Sequence, residues 1–174
     1  MAYVTSAGVP APDQAGCIFC DALGGENDRQ SLILRRSPTA FLILNKYPYA
    51  SGHVMAALNR HVGSIEETAP DELGELMELV RAAVRALRKG YDPDGYNVGL
   101  NQGRVAGAGV PGHLHIHIVP RWSGDTNFMP VVSDTRVLPE SLDTTYGRLL
   151  AALGPGGIPR PSCSPNLRLP GFHP

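Results

Sequence analysis

Between Gly112 and Trp122, His113, His115 and His117 alternate with Leu114, Ile116 and Ile118. A period of two is the signature of a half-buried strand, because successive side chains point to opposite faces. The aliphatic set goes to a core, and the imidazoles stand in a row on the other face, about 6.5 Å apart from Cα to Cα. Pro120 cannot donate to a ladder, so pairing is expected to stop there. A strand needing only a polar face would use Thr, Lys or Glu. Half of the chain's six histidines lie on this one segment, which argues for chemistry over a His-rich polar face. Two chemical readings fit: a three-His metal site with a position left for water, or an imidazole nucleophile oriented by its neighbours.

At 174 residues the chain fits one domain able to bury a core. A formal net charge of -1 gives no basic footprint for nucleic acid. There is no run of 18 apolar residues to span a membrane, and residues 1–16 do not read as a secretory signal. Three cysteines make no disulfide framework, so the expected compartment is a reducing cytoplasm. The expected organisation is a lead at 1–16, a domain at 17–153, and a Pro/Gly-rich tail at 154–174 that contains Cys163.

Within the domain, Asp21 to Arg29 is polar and Gly-rich and reads as a loop. Leu32–Leu34 and Phe41–Asn45 read as strands, and the latter returns through Lys46–Gly52 to His53–Leu58 as a long-looped hairpin. Pro70–Lys89 is the one long helix, with Leu73, Leu76, Met77, Val80, Val84 and Leu87 as its apolar stripe. Thr68 with Asp71 reads as a capping pair, and Gly90 as the residue just past the end. Tyr96–Asn101 is a further strand. Gly103–Gly112 is a glycine-rich connector able to bring backbone N–H groups to an anion, or simply a hairpin loop. Pro139–Leu153 is a second helix.

Cys17 and Cys20, spaced Cys-x-x-Cys, supply half of a tetrahedral zinc site, and His61 and His113 are the candidate partners. A redox pair or two unconnected thiols are the other readings. A redox pair normally lies between a strand and a helix, whereas this one opens the domain, which favours structural zinc. Such a site would clip the N-terminal segment to the His strand and leave His115 and His117 free.

The run His113-Leu-His-Ile-His-Ile-Val-Pro-Arg121 resembles the motif of the histidine triad (HIT) family. Cys17-Ile-Phe-Cys20, Leu42-Ile-Leu-Asn45, Gly52-His53-Val54, Arg60-His61-Val62 and Asn101-Gln102-Gly103 follow the family's order. The run 107–115 and Pro120–Phe128 look like a bacterial branch that includes diadenosine tetraphosphate phosphorylases. The resemblance implies an α+β fold with a five-stranded antiparallel sheet, a long helix and a C-terminal helix, the sheet extended across a homodimer. It implies transfer or hydrolysis at the α-phosphate of a dinucleoside polyphosphate, with phosphate or water as acceptor and a structural zinc as the only cofactor. His115 would be the nucleophile, its second N–H held by a backbone carbonyl. His117 would act on phosphate oxygens or the leaving group. Asn101 would contact the phosphate region and Asn45 the ribose. Backbone N–H groups at Gly107 to Gly109 would stand in for the hydroxyl that many members carry just before the triad. His53 is either a pocket residue or a satisfied core histidine. Rival functions are a purine nucleoside phosphoramidase, a non-catalytic nucleotide-binding protein and a metal hydrolase using all three histidines.

Overall fold

A computed structural model of the protein describes residues 16–125 and 140–154. Five strands form one antiparallel sheet: β1 (Ile33–Arg36), β2 (Ala40–Leu44), β3 (Val54–Leu58), β4 (Gly95–Gly99) and β5 (His115–Arg121), in the order β1-β2-β3-β5-β4. Among the described residues three α-helices accompany it: α1 (Ile18–Gly24), α2 (Pro70–Tyr91) and α3 (Leu142–Leu153). The expected α+β architecture is present. The lead and tail fall outside the described residues except for Gly16 and Gly154, and Cys163 lies with the tail.

β2 and β3 are buried along their whole length because helices cover both faces of the sheet. One face carries Leu42, Leu44, Val54, Ala56, Leu58, Leu114, Ile116 and Ile118 against Leu76, Leu79, Val80, Ala83 and Leu87 of α2. The other carries Ile33, Phe41, Ile43, Met55 and Ala57 against Phe19 and Leu23 of α1. β5 sits between β3 and β4, with His115 opposite Ala57 and His117 opposite Met55. Directly paired residues share a face, so the imidazoles stand on the α1 side and the aliphatic residues on the α2 side.

Several expectations are corrected. The stretch after Cys17 is helical: Phe19 and Leu23, four residues apart, bury one stripe of a short helix that ends at the Gly24-Gly25 pair. Pro120 does not end β5. It pairs with Tyr96 beyond the last β3 contact at Val54–Ile118, where only β4 still needs the ladder. Gly90 is inside α2, and the left-handed cap residue is Asp92, at φ 45°. The α2 stripe is rotated onto Leu76, Leu79, Val80, Ala83, Ala86 and Leu87, leaving Met77 half exposed. Thr68 does not cap the helix; its hydroxyl donates to the Ile65 carbonyl. Instead Glu72 accepts from the Ala69 N–H at 2.9 Å and from Arg60 Nε and Nη2 at 3.0 and 2.9 Å.

A second ion pair seats α1. The buried guanidinium of Arg36 donates to Asp28 at 2.8 and 3.0 Å and to the Leu23 carbonyl at 2.8 Å. It satisfies an orphan carbonyl at the helix end and ties α1 to β1.

Candidate active site and metal cluster

The alternation on β5 brings two separate groups of side chains together. His113, at the strand's leading end, turns toward α1. Its Nδ1 lies 3.3 Å from Cys17 Sγ and 3.6 Å from Cys20 Sγ, and Cys20 Sγ lies 3.4 Å from His61 Nδ1. All four donor atoms fall within 4.8 Å of one another. Tetrahedral zinc with Zn–S of about 2.3 Å and Zn–N of about 2.0 Å places its ligand atoms about 3.3–3.8 Å apart, so the donor set can hold such an ion. His113 Nε2 donates to the Leu58 carbonyl at 2.7 Å, which leaves Nδ1 bare toward the thiols. A backbone acceptor behind a ligating imidazole is the usual outer support of a metal site. The two cysteines enter on the first turn of α1, and His61 follows the end of β3.

The next residue on that face is His115, buried at 4 % exposure. Its Nδ1 donates to the His113 carbonyl at 2.7 Å, so the proton is on Nδ1 and Nε2 carries the lone pair. Phe19 packs on the ring with centroids 4.7 Å apart. The ring is screened by α1, yet Nε2 is absent from the sealed, partnerless polar atoms of the described residues, which are Ser51 Oγ and Asn59 Oδ1. Burial lowers the imidazole's pKa, against the raising effect of the His113 carbonyl.

His117 is only partly buried, and its partner is His53. His53 Nε2 and His117 Nδ1 are 3.0 Å apart. The Tyr49 backbone N–H and the Asn45 amide both reach His53 Nδ1, each at 3.2 Å. Two donors on Nδ1 put the His53 proton on Nε2. That proton goes to His117 Nδ1, so His117 carries its own on Nε2, free to act as a donor. Burial first, then the neighbouring imidazoles, pushes His53 down to about 3 and His117 to about 4. Both rings are therefore neutral near pH 7.

His53 is thus part of the site, a role the sequence left undecided. The signal lay in the hairpin: His53 shares a face with Met55, which pairs with His117, and is therefore its diagonal neighbour. Phe19 was also missed, because Cys17–Cys20 was read for its two thiols alone and the loop expected from Asp21 hid the helix that carries the ring. Asn45 is present, its Oδ1 accepting the Tyr47 N–H at 2.9 Å and its amide facing His53. Asn101 is exposed just after β4; its amide donates to the Gly107 carbonyl at 3.3 Å, bracing the glycine-rich loop. Gly107, at φ 87°, closes a single 3₁₀ turn, a conformation that favours glycine. Gly109 is exposed in the same loop. The three histidines therefore do not form one group: His113 lies with the cysteines, and His115 and His117 with His53, so the donor cluster found among the described residues takes only His113 of the three.

The family description "HIT domain" matches residues 26–124. The chain is 40% identical over 125 residues to an AP-4-A phosphorylase of Mycobacterium tuberculosis; the match covers 72% of this chain and 64% of that protein, so the chain spans under two thirds of that relative. It is 38% identical over 110 residues to an uncharacterized HIT-like protein of Methanocaldococcus jannaschii, covering 63% of this chain and 81% of that one. The fold superimposes with a TM-score of 0.65 on a crystal structure of a Zn-bound histidine triad family protein from Mycobacterium smegmatis, at 25% identity, covering 79% of this chain and 93% of that chain. Alternating imidazoles on a central strand, with the matched length around them, place this chain in the HIT domain family.

Proposed function

We propose that the protein is a nucleotidyl transferase acting at the α-phosphate of dinucleoside polyphosphates, through a nucleotidyl group carried on His115. The observation that carries the reading is the His115 Nδ1–H bond to the His113 carbonyl. It fixes the tautomer that leaves Nε2 nucleophilic, and it stays in place when the ring gains positive charge.

In the first step His115 Nε2 forms a bond to the α-phosphorus and the bond to the polyphosphate oxygen breaks. His117 Nε2–H, oriented by His53, donates toward that departing oxygen. In the second, inorganic phosphate or water attacks the phosphorus, the P–N bond breaks, and His115 is returned neutral. One displacement is replaced by two with a better leaving group. The AP-4-A phosphorylase similarity supports phosphate as the acceptor. Asn45 and Asn101 would contact ribose and phosphate, and the backbone N–H groups at Gly107 and Gly109 would face the phosphates.

Structural zinc on Cys17, Cys20, His61 and His113 completes the reading, supported by the donor geometry and by the Zn-bound relative. Bound there, the ion supplies a cross-link between α1, the end of β3 and the start of β5. The edge position of β4, where Asn97, Val98 and Gly99 are exposed, supports a homodimer in which the sheet is extended. A cytoplasmic location accords with Cys17 and Cys20 not being joined in a disulfide; among the described residues no helix is long and apolar enough to cross a membrane. Incubation with diadenosine tetraphosphate and phosphate tests the activity: ADP and ATP in equal amounts are expected, and no nucleotide product would refute it.

A further inference from the structure

Beyond the histidine row lies a cavity of about 490 Å³, lined by Tyr49, Ser51, Tyr91, Trp122, Asp125, Glu140 and Arg148. It sits where the β2–β3 loop, the end of α2, the end of β5 and the approach to α3 converge. Tyr49 joins it to the reacting groups, for the same ring lies 4.8 Å from His53 and 6.4 Å from His117, centroid to centroid.

The chemistry of the lining selects a class of ligand. Three aromatic rings bound the space, and Trp122 and Tyr91 are arranged edge to face at 6.5 Å. The charges are already engaged. Arg148 bonds Glu140 at 2.8 Å and lies 4.8 Å over Tyr91. Asp125 accepts from Arg121 at 2.6 and 2.7 Å and from the Trp122 N–H at 3.1 Å. These carboxylates each already hold a guanidinium, so the paired charges leave no surplus cation for a phosphate. They suit an uncharged aromatic ring with amino donors. Ser51 Oγ is buried at the wall with no partner. A sealed polar atom without a partner is costly, and rotation about the Ser51 Cα–Cβ bond would bring the hydroxyl to a ligand atom in the cavity.

We propose that this cavity holds the second nucleobase, on the half of the dinucleoside polyphosphate that departs, stacked on Trp122 and hydrogen-bonded to Ser51. The proposal rests on the reading of the histidine row as a nucleotidyl-transfer site. It separates the substrate into two parts: phosphates at the imidazoles and glycine-rich loop, leaving base around Tyr49.

Two measurements test it and keep the two ideas apart. Trp122 is the chain's single tryptophan, so its emission reports on the cavity. In a His115→Asn variant, diadenosine tetraphosphate is expected to quench that emission and AMP at saturation is not; equal quenching by both, or by neither, overturns the proposal. The second measurement compares kcat/KM for diadenosine tetraphosphate with that for adenosine 5′-phosphoramidate, which lacks a second base. The ratio is expected to fall about tenfold in Trp122→Ala and about threefold in Ser51→Ala, a change that removes a partnerless atom and leaves the fold intact. An unchanged ratio in both variants overturns the proposal. Wild-type protein that turns over neither substrate refutes the transfer reading; the cavity then stands or falls on the quenching alone.

Discussion

His53 Nε2 approaches His117 Nδ1 to 3.0 Å, and neither ring can hold the bond unless one of them is protonated on the facing nitrogen. The Tyr49 N–H and the Asn45 amide, both on His53 Nδ1, decide which. In the proposed mechanism His53 is therefore a positioning residue for His117. Its loss would let His117 rotate and change tautomer.

His53→Ala is expected to lower kcat by about 100-fold with a much smaller change in KM. His53→Gln, whose amide N–H can still donate to His117, is expected to recover part of that loss. Steady-state kinetics on both variants check this. Equal rates in Ala and Gln variants would show that His53 only fills space.

The buried imidazoles predict acid sensitivity. An unfolded His binds its proton near pH 6.5, whereas His53 and His117 in the folded chain are pushed down to about 3 and 4. Below pH 6.5 the unfolded chain binds more protons than the folded one, so stability falls as pH falls. The stability of these neutral rings is complete above 6.5 and is lost on descent toward 4, by about 1.4 kcal/mol per pH unit per group. Urea denaturation from pH 8 to pH 5 reads the slope, and His53→Gln is expected to remove about one proton from it.

How much of this was legible in the chain depends on the range of the interaction involved. The β5 alternation assigned the two faces of the sheet correctly, because period two is a local property. The Cys17, Cys20, His61 and His113 grouping was legible from spacing and donor chemistry. α1 was not, since its seven residues include few strong helix formers and are held by tertiary contacts: Phe19 under the sheet and Arg36 on the Leu23 carbonyl. The His53–His117 bond was hidden for a related reason. It depends on the β3–β5 register, and the two residues are 64 positions apart. The Asp92 cap was missed because Gly90 offered the commoner pattern.

Removal of metal is expected to weaken the fold before it affects chemistry. Purified protein should carry about one zinc per chain, and chelation or Cys20→Ala should lower Tm by several degrees, as loss of a cross-link does. Thermal melts with and without chelator check this. A metal hydrolase would instead lose turnover with Tm unchanged.

Arg36 anchors α1 through a backbone carbonyl as well as Asp28. Arg36→Met keeps the apolar stem but leaves the Leu23 carbonyl and Asp28 without it, and is expected to cost about 3 kcal/mol. Hydrogen exchange should show the loss concentrated in residues 17–24, with α2 unaffected at equal depth of burial.

The proposed mechanism turns on a bond between His115 Nε2 and the α-phosphorus. Protein mixed with diadenosine tetraphosphate without free phosphate, quenched in alkali and analysed by mass spectrometry, is expected to carry one AMP unit on the peptide containing His115. The adduct should be stable in base, lost in acid, and absent from His115→Asn, whose kcat should fall by about 1,000-fold or more. An unmodified peptide under single-turnover conditions, with products forming at the normal rate, would contradict the account.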